Sequence, residues 1–196
     1  MKKIDLIKKI IRFLIIILII ITAVVSLYIL PKKKNKTIES IDNTKYGYVL
    51  AKRDNSLYKE IFNLLKDELD SDTIDYEKYA EYISKLFVID LYTLNNKVNR
   101  NDIGGIQYVK DEIKDNYKLN VSNTLYKYVG TINSNVEVNK VDLEKISETT
   151  YKIANKEYSG YEVKLAWEYK EENDYDTEGT IVLIRDNDRL YIVEKK

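Results

Sequence analysis

Residues 161–170 read YEVKLAWEYK, in which Tyr161, Val163, Leu165, Trp167 and Tyr169 alternate with Glu162, Lys164, Ala166, Glu168 and Lys170. Successive side chains of a strand point to opposite sides, so this alternation predicts a β-strand with one buried face. Two apolar runs rich in Ile and Val follow, Thr180 to Arg185 and Leu190 to Val193, on either side of Asp186, Asn187 and Asp188. Asp and Asn tolerate turn conformations, so the pair reads as a hairpin. Upstream, Val136 to Ile153 supplies at least one more strand. The last third of the chain is therefore a set of antiparallel strands.

Further toward the N-terminus the period changes. Leu57, Ile61, Leu64, Leu65 and Leu69 recur at helical spacing, with Ser56 placed as N-cap, and SDTID (residues 71–75) ends that helix. A second helix is expected from Asp75 to Leu94, carrying Tyr76, Tyr79, Ala80, Ile83, Leu86, Phe87, Leu91 and Leu94 on one stripe. Asn95, Asn96 and Asn99 mark its end, and Gly104-Gly105 fits a tight turn. In residues 106–128, Ile106, Val109, Ile113 and Tyr117 predict a helix for the first part, whereas TLYKYV (residues 124–129) could begin a strand. Helices first and antiparallel strands afterwards predict an α+β domain with its helices packed on a curved antiparallel sheet.

The N-terminal segment obeys a different rule. Residues 13–30, FLIIILIIITAVVSLYIL, hold no charge, and as a helix they extend roughly 27 Å, close to the ~30 Å of a bilayer core. The expectation is a basic leader (1–12), a transmembrane helix (13–30), a tether (31–44) and a domain (45–196). A cleaved signal peptide ending near Val24 and Ser26 is the competing reading, but the apolar run continues through Leu27 to Leu30. Basic residues flank both ends of the run, so either topology is open. The short basic leader favours a cytoplasmic N-terminus and an extracytoplasmic domain in a single-pass cell-membrane protein.

Composition narrows the function. The chain has 196 residues, 32 Lys plus Arg, 32 Asp plus Glu, and no Cys or His. Thiol and imidazole chemistry, zinc sites and disulfides are therefore excluded. Residues 1–36 contain nine basic residues and one acidic one, leaving 23 basic and 31 acidic residues in the remaining 160. Such an acidic domain is a poor match for nucleic acid, whose binding depends on neutralising phosphates. The 27 Lys against 5 Arg, with abundant Asn, Ile and Tyr, suggest a low-GC bacterial genome. No phosphate-binding glycine loop, nucleophile elbow or paired metal-binding carboxylates occur, and no cofactor or metal is expected. Glu171, Glu172, Asp174 and Asp176 lack the spacing of a calcium loop and read as a solvated turn.

The stretches from Phe87 to Val109 and from Thr124 to Val129, with ETTYKI, YEVKLAWEYK and IVLIRDNDRLYIVE, resemble single-span membrane proteins of low-GC Gram-positive bacteria. The element order resembles the cystatin-like fold of the nuclear transport factor two superfamily. That resemblance, over residues 75–194, implies a cone-shaped pocket between sheet and helices. A short anchor followed by such a domain is also the layout of assembly factors in secretion and conjugation machines.

Asp90 breaks its local pattern by falling on the stripe of Ile83, Phe87 and Leu94. A buried carboxylate must be paired, protonated or in a wet pocket. It reads either as a structural group bonded to a Tyr hydroxyl, backbone amides or Arg100, or as the acid of a ligand pocket completed by Tyr161, Trp167 and Tyr169. The aromatic trio more commonly reads as sheet core. The expected function is a non-enzymatic protein-interaction or assembly domain of the cell envelope. Its partners would be the bilayer through residues 13–30 and a second copy or an envelope protein. The alternative is a small-molecule binding module or proton-transfer enzyme around Asp90.

Overall fold

The computed structural model describes residues 39–131 and 135–196. The expected leader, transmembrane helix and most of the tether lie outside the described residues. Among the described residues no helix is long and apolar enough to cross a membrane. The described residues reach back into the span expected to be tether. Strand β1 (Ser40–Asn43) pairs antiparallel with β2 (Val49–Ala51), and Lys66 on the first helix bonds Asp42 at 2.6 Å. Gly47 closes the hairpin at φ 76°, a left-handed conformation that glycine adopts without strain.

Helix α1 (Ser56–Asp70) starts one residue earlier than its pattern indicates, because Asn55 is the cap and accepts the Tyr58 amide at 2.8 Å. Its buried stripe is Tyr58, Ile61, Phe62, Leu65 and Leu69, while Leu64 is 44% exposed. The two aromatic rings, one turn apart, rotate the helix away from the all-leucine stripe. Helix α2 (Tyr76–Tyr92) is capped by Asp75, whose carboxylate accepts the Glu77 and Lys78 amides. Its buried residues, among them Tyr79, Ile83, Leu86, Phe87, Val88, Ile89, Leu91 and Tyr92, surround the axis rather than forming one stripe. Glu77, Lys78, Glu81 and Lys85 keep one side of its first half polar, while the stretch from Leu86 to Tyr92, buried all round apart from Asp90, belongs in the centre of the molecule.

The sheet supplies one wall around it. Strands β3 (Val138–Ile153), β4 (Lys156–Tyr169), β5 (Glu178–Asp186) and β6 (Arg189–Lys195) form an antiparallel meander in sequence order. The register sets Leu143 opposite Leu165, Val163 opposite Ile181 and Leu183 opposite Ile192. The predicted α+β architecture, helices on a curved antiparallel sheet, is what the chain adopts. Helix α2 lies against β3, β4 and β6, and α1 packs on α2. Turns at Ala154 (φ 53°) and Asn187 (φ 57°) close two of the hairpins.

Residues 106–128 resolve into two short 3-10 turns and helix α3 (Lys114–Asn123). TLYKYV begins no strand. It folds into hydrogen-bonded turns, with the Tyr126 amide donating to Val121 at 2.8 Å. The reason is the Tyr126 side chain, which is fully buried and donates its hydroxyl proton to the Leu91 carbonyl at 2.8 Å. That carbonyl is one of the last of α2, which have no partner within the helix.

The Gly104-Gly105 turn seats against this same helix end. A methyl group on Gly104 would overlap the Asp90 carbonyl and come within 2.8 Å of the Tyr126 oxygen, whereas one on Gly47 would meet nothing within 4 Å. Gly104→Ala is expected to lower stability by about 2–3 kcal/mol through overpacking, and Gly47→Ala by about 1 kcal/mol through backbone strain alone. Urea unfolding of the two variants checks the difference.

Candidate functional site

An open cleft of about 340 Å³ lies where the β1–β2 hairpin, the start of α1, the end of α2 and residues 101–107 converge. Its apolar walls are Val49, Ala51, Ile103 and Ile106, and Asp90 lines its floor. After α2 the chain turns back on itself, which carries Lys97 to the Asp90 carboxylate. The Lys97 side chain is 0% exposed and that of Asp90 18%. The second Asp90 oxygen accepts the Gly105 amide at 2.7 Å.

Asp90 thus holds both the returning lysine and the glycine turn. Of the partners considered from sequence, a backbone amide is present, Arg100 is exposed on the surface, and the cation is Lys97. Lone charges at this burial would cost several kcal/mol each, which explains the pairing.

A second ion pair closes the neighbouring wall. Arg53 makes a two-pronged contact with Asp102, one branch at 2.7 Å, and Asp102 also accepts the Val98 amide at 3.0 Å. Burial would raise the Asp102 carboxyl, but bonds from Arg53 and the Val98 amide outweigh it and hold the group below the usual range. Asp54 behaves in the opposite way. Burial, reinforced by the Asp90 charge, raises its carboxyl against the pull of the Ala51 amide at 2.7 Å and the nearby Lys97 and Arg53.

Gln107 joins the hairpin to this frame. Its side chain accepts the Val49 amide at 2.7 Å and donates to the Val49 carbonyl at 3.2 Å, in the manner of a strand partner, and it also donates to the Tyr58 hydroxyl at 2.8 Å. The Tyr58 and Tyr108 hydroxyls are 2.6 Å apart, and burial pushes both phenols well above their ordinary range.

The expected aromatic residues stand elsewhere. Tyr92 lies two residues beyond Asp90, about 200° around the helix, and its ring meets Trp167 with centroids 5.1 Å apart. The Trp167 indole donates to the Tyr169 hydroxyl at 3.0 Å, and that hydroxyl donates to the Asp176 carbonyl at 2.7 Å. Burial pushes the Tyr169 phenol up to about 12. Tyr161, half-buried, precedes Trp167 by six strand positions, roughly 20 Å. Trp167 and Tyr169 therefore pack on the sheet side of α2, Asp90 lies on another side, and none of the three aromatics lines the cleft.

Asp176 is held low by its bond from Lys195 and then by the Tyr92 hydroxyl. Among the described residues no group of His, Cys, Asp or Glu is placed to hold a metal ion. Reading the sequence missed Arg53, Asp54, Lys97, Asp102 and Gln107. Only Lys97 is near Asp90 in the chain, and seven residues across a helix end is not a periodic spacing.

Lys97→Met leaves the Asp90 carboxylate buried without its cation and is expected to cost about 3 kcal/mol in urea unfolding. The double variant with Asp90→Asn should lose less. For pH the signs are opposed. The Asp102 carboxyl is lower in the folded state than its unfolded ~3.9, so its contribution is present at neutral pH and lost as pH falls. The Asp54 carboxyl is raised, so its contribution is present below about pH 3.9 and lost as pH rises through the folded value. Asp102→Asn should flatten the acid limb of the stability profile, and Asp54→Asn should raise the urea midpoint at about pH 7. No family model matches the chain, and no curated protein or solved structure matches it either.

Proposed function

We propose that this chain is a membrane-anchored, non-enzymatic interaction domain of the bacterial cell envelope, held by residues 13–30 with the domain outside. The observation that carries the interaction reading is the inequality of the two sheet edges. The β6 edge is blocked at its middle, because Lys110 donates its amide to the Ile192 carbonyl at 3.1 Å and Val109 forms a parallel bridge with Ile192. Strand β3 is 16 residues long and, among the described residues, pairs only with β4. A free edge offers a row of backbone donors and acceptors to another strand. Lys140, Glu144, Lys145, Glu148 and Lys152 along it discourage indiscriminate pairing while leaving room for a charge-matched partner.

The partner in this reading is a second copy of the chain, as a step toward a secretion or conjugation assembly. The order of two helices, a Gly-Gly turn and four antiparallel strands also supports the cystatin-like assignment within the nuclear transport factor two superfamily. A second reading, a small-molecule binding module, is favoured by the open cleft at Asp90. Because both oxygens of Asp90 are committed to Lys97 and Gly105, binding rather than proton transfer is the role that fits it.

Light scattering on the full-length chain in neutral detergent is expected to give a defined oligomer. A photo-crosslinker at Lys145 or Lys152 should join two copies, and one at the exposed Glu60 on α1 should not. A monomer without crosslinks from β3 overturns the interaction reading. A reporter that is active only outside the cytoplasm, fused after Lys196, should be active; an inactive one reverses the topology.

A further inference from the structure

The charges around the cleft pair off unevenly. Lys97 is taken by Asp90 and Arg53 by Asp102. Lys118, at the rim and 52% exposed, stands 3.5 Å from Asp115. Asp54 lines the cleft with no cationic partner among the described ion pairs, and its one described hydrogen bond is from the Ala51 amide.

Beside it is a small recess walled by Asp54, Tyr58, Asp90 and Asn96. There the Asn96 side-chain carbonyl is buried with no donor. The recess has no room for a water molecule, so that oxygen stays sealed beside the cleft, and Asp54, which lines both recess and cleft, is the acceptor open to a ligand. The adjoining walls, Ala51, Ile103 and Ile106, are apolar.

We propose that this cleft binds a small organic cation, a primary ammonium on a short aliphatic chain, with the ammonium donating to the Asp54 carboxylate and the chain lying on Ala51, Ile103 and Ile106. The inference rests on the second reading above, that the cleft is a ligand site. An anion is disfavoured because the polar group that lacks a counter-charge is itself a carboxylate. A neutral apolar ligand would leave the Asp54 carboxylate without a counter-charge. The cleft volume of about 340 Å³ is at the small end of ligand sites, which suits a compact ligand. Burial already raises the Asp54 carboxyl, so an ammonium would supply the counter-charge that the fold does not.

The test is calorimetry and thermal unfolding of the full-length chain in neutral detergent at about pH 7.5, with butylammonium, butyrate and butanol as probes at matched ionic strength. Butylammonium is expected to bind one per chain and raise the melting temperature, with butanol at least about tenfold weaker and butyrate silent. Asp54→Asn, which keeps an acceptor for the Ala51 amide and is expected to fold, should weaken butylammonium at least about tenfold. If butanol or butyrate binds as well as butylammonium, or if Asp54→Asn binds it unchanged, the cation assignment is overturned while the ligand reading stands. If no probe binds, both are overturned.

Discussion

The ion pair between Asp90 and Lys97, closed by the Gly105 amide, is the contact on which the rest of the molecule is hung. The C-terminal half of helix α2 is apolar on nearly every side, and Asp90 is the charged position within it. A carboxylate there has to be answered from outside the helix. Lys97 and Gly105 answer it together, which fixes the path of the chain from Leu94 to Gly105 against the helix. That path in turn brings Asp102 to Arg53 and positions residues 106–110 to block the middle of the β6 edge.

Tyrosine does much of the polar work in this core. With no His or Cys and few buried Ser or Thr, the chain uses phenols, which fill volume and still carry a hydrogen-bonding group. The Tyr48 hydroxyl lies 2.9 Å from that of Tyr79 and donates to the Leu190 carbonyl at 3.1 Å, linking the hairpin, α2 and β6. Tyr126 closes the end of α2, and Tyr117 donates to the Gly104 carbonyl at 2.8 Å. Burial raises these phenols, so they stay protonated and able to donate. The two polar side-chain atoms left without partners among the described residues are on Ser84 and Asn96. Asn96 borders a closed recess beside the cleft, and Ser84 sits within α2.

The cleft and the sheet edge are different kinds of opening. At the cleft, buried carboxylates make specificity a matter of charge and hydrogen bonds at short range. At β3, a backbone edge unpaired among the described residues carries alternating Lys and Glu side chains, so any strand added there would have its register set by charge.

The sequence by itself determined the α+β class, the strand–turn pattern of the last third and the two helices before it, because a two-residue and a 3.6-residue period report burial directly. It also marked Asp90 as a carboxylate needing a partner and the glycine pair as a tight turn. It indicated a helix for the first part of residues 106–128 but could not settle TLYKYV, since Tyr126 is buried for what its hydroxyl does to α2 and not for any period of its own. Nor could it set the rotation of α1, where Tyr58 and Phe62 displaced Leu64. Only the tertiary structure decided that Asp90 and the Trp167 face lie on different sides of one helix. The cleft likewise gathers residues 49–54, 90, 101–107 and 118 from separate segments. Contacts between such distant residues leave no periodic trace in the chain, because they are set by how the elements pack and not by how each repeats.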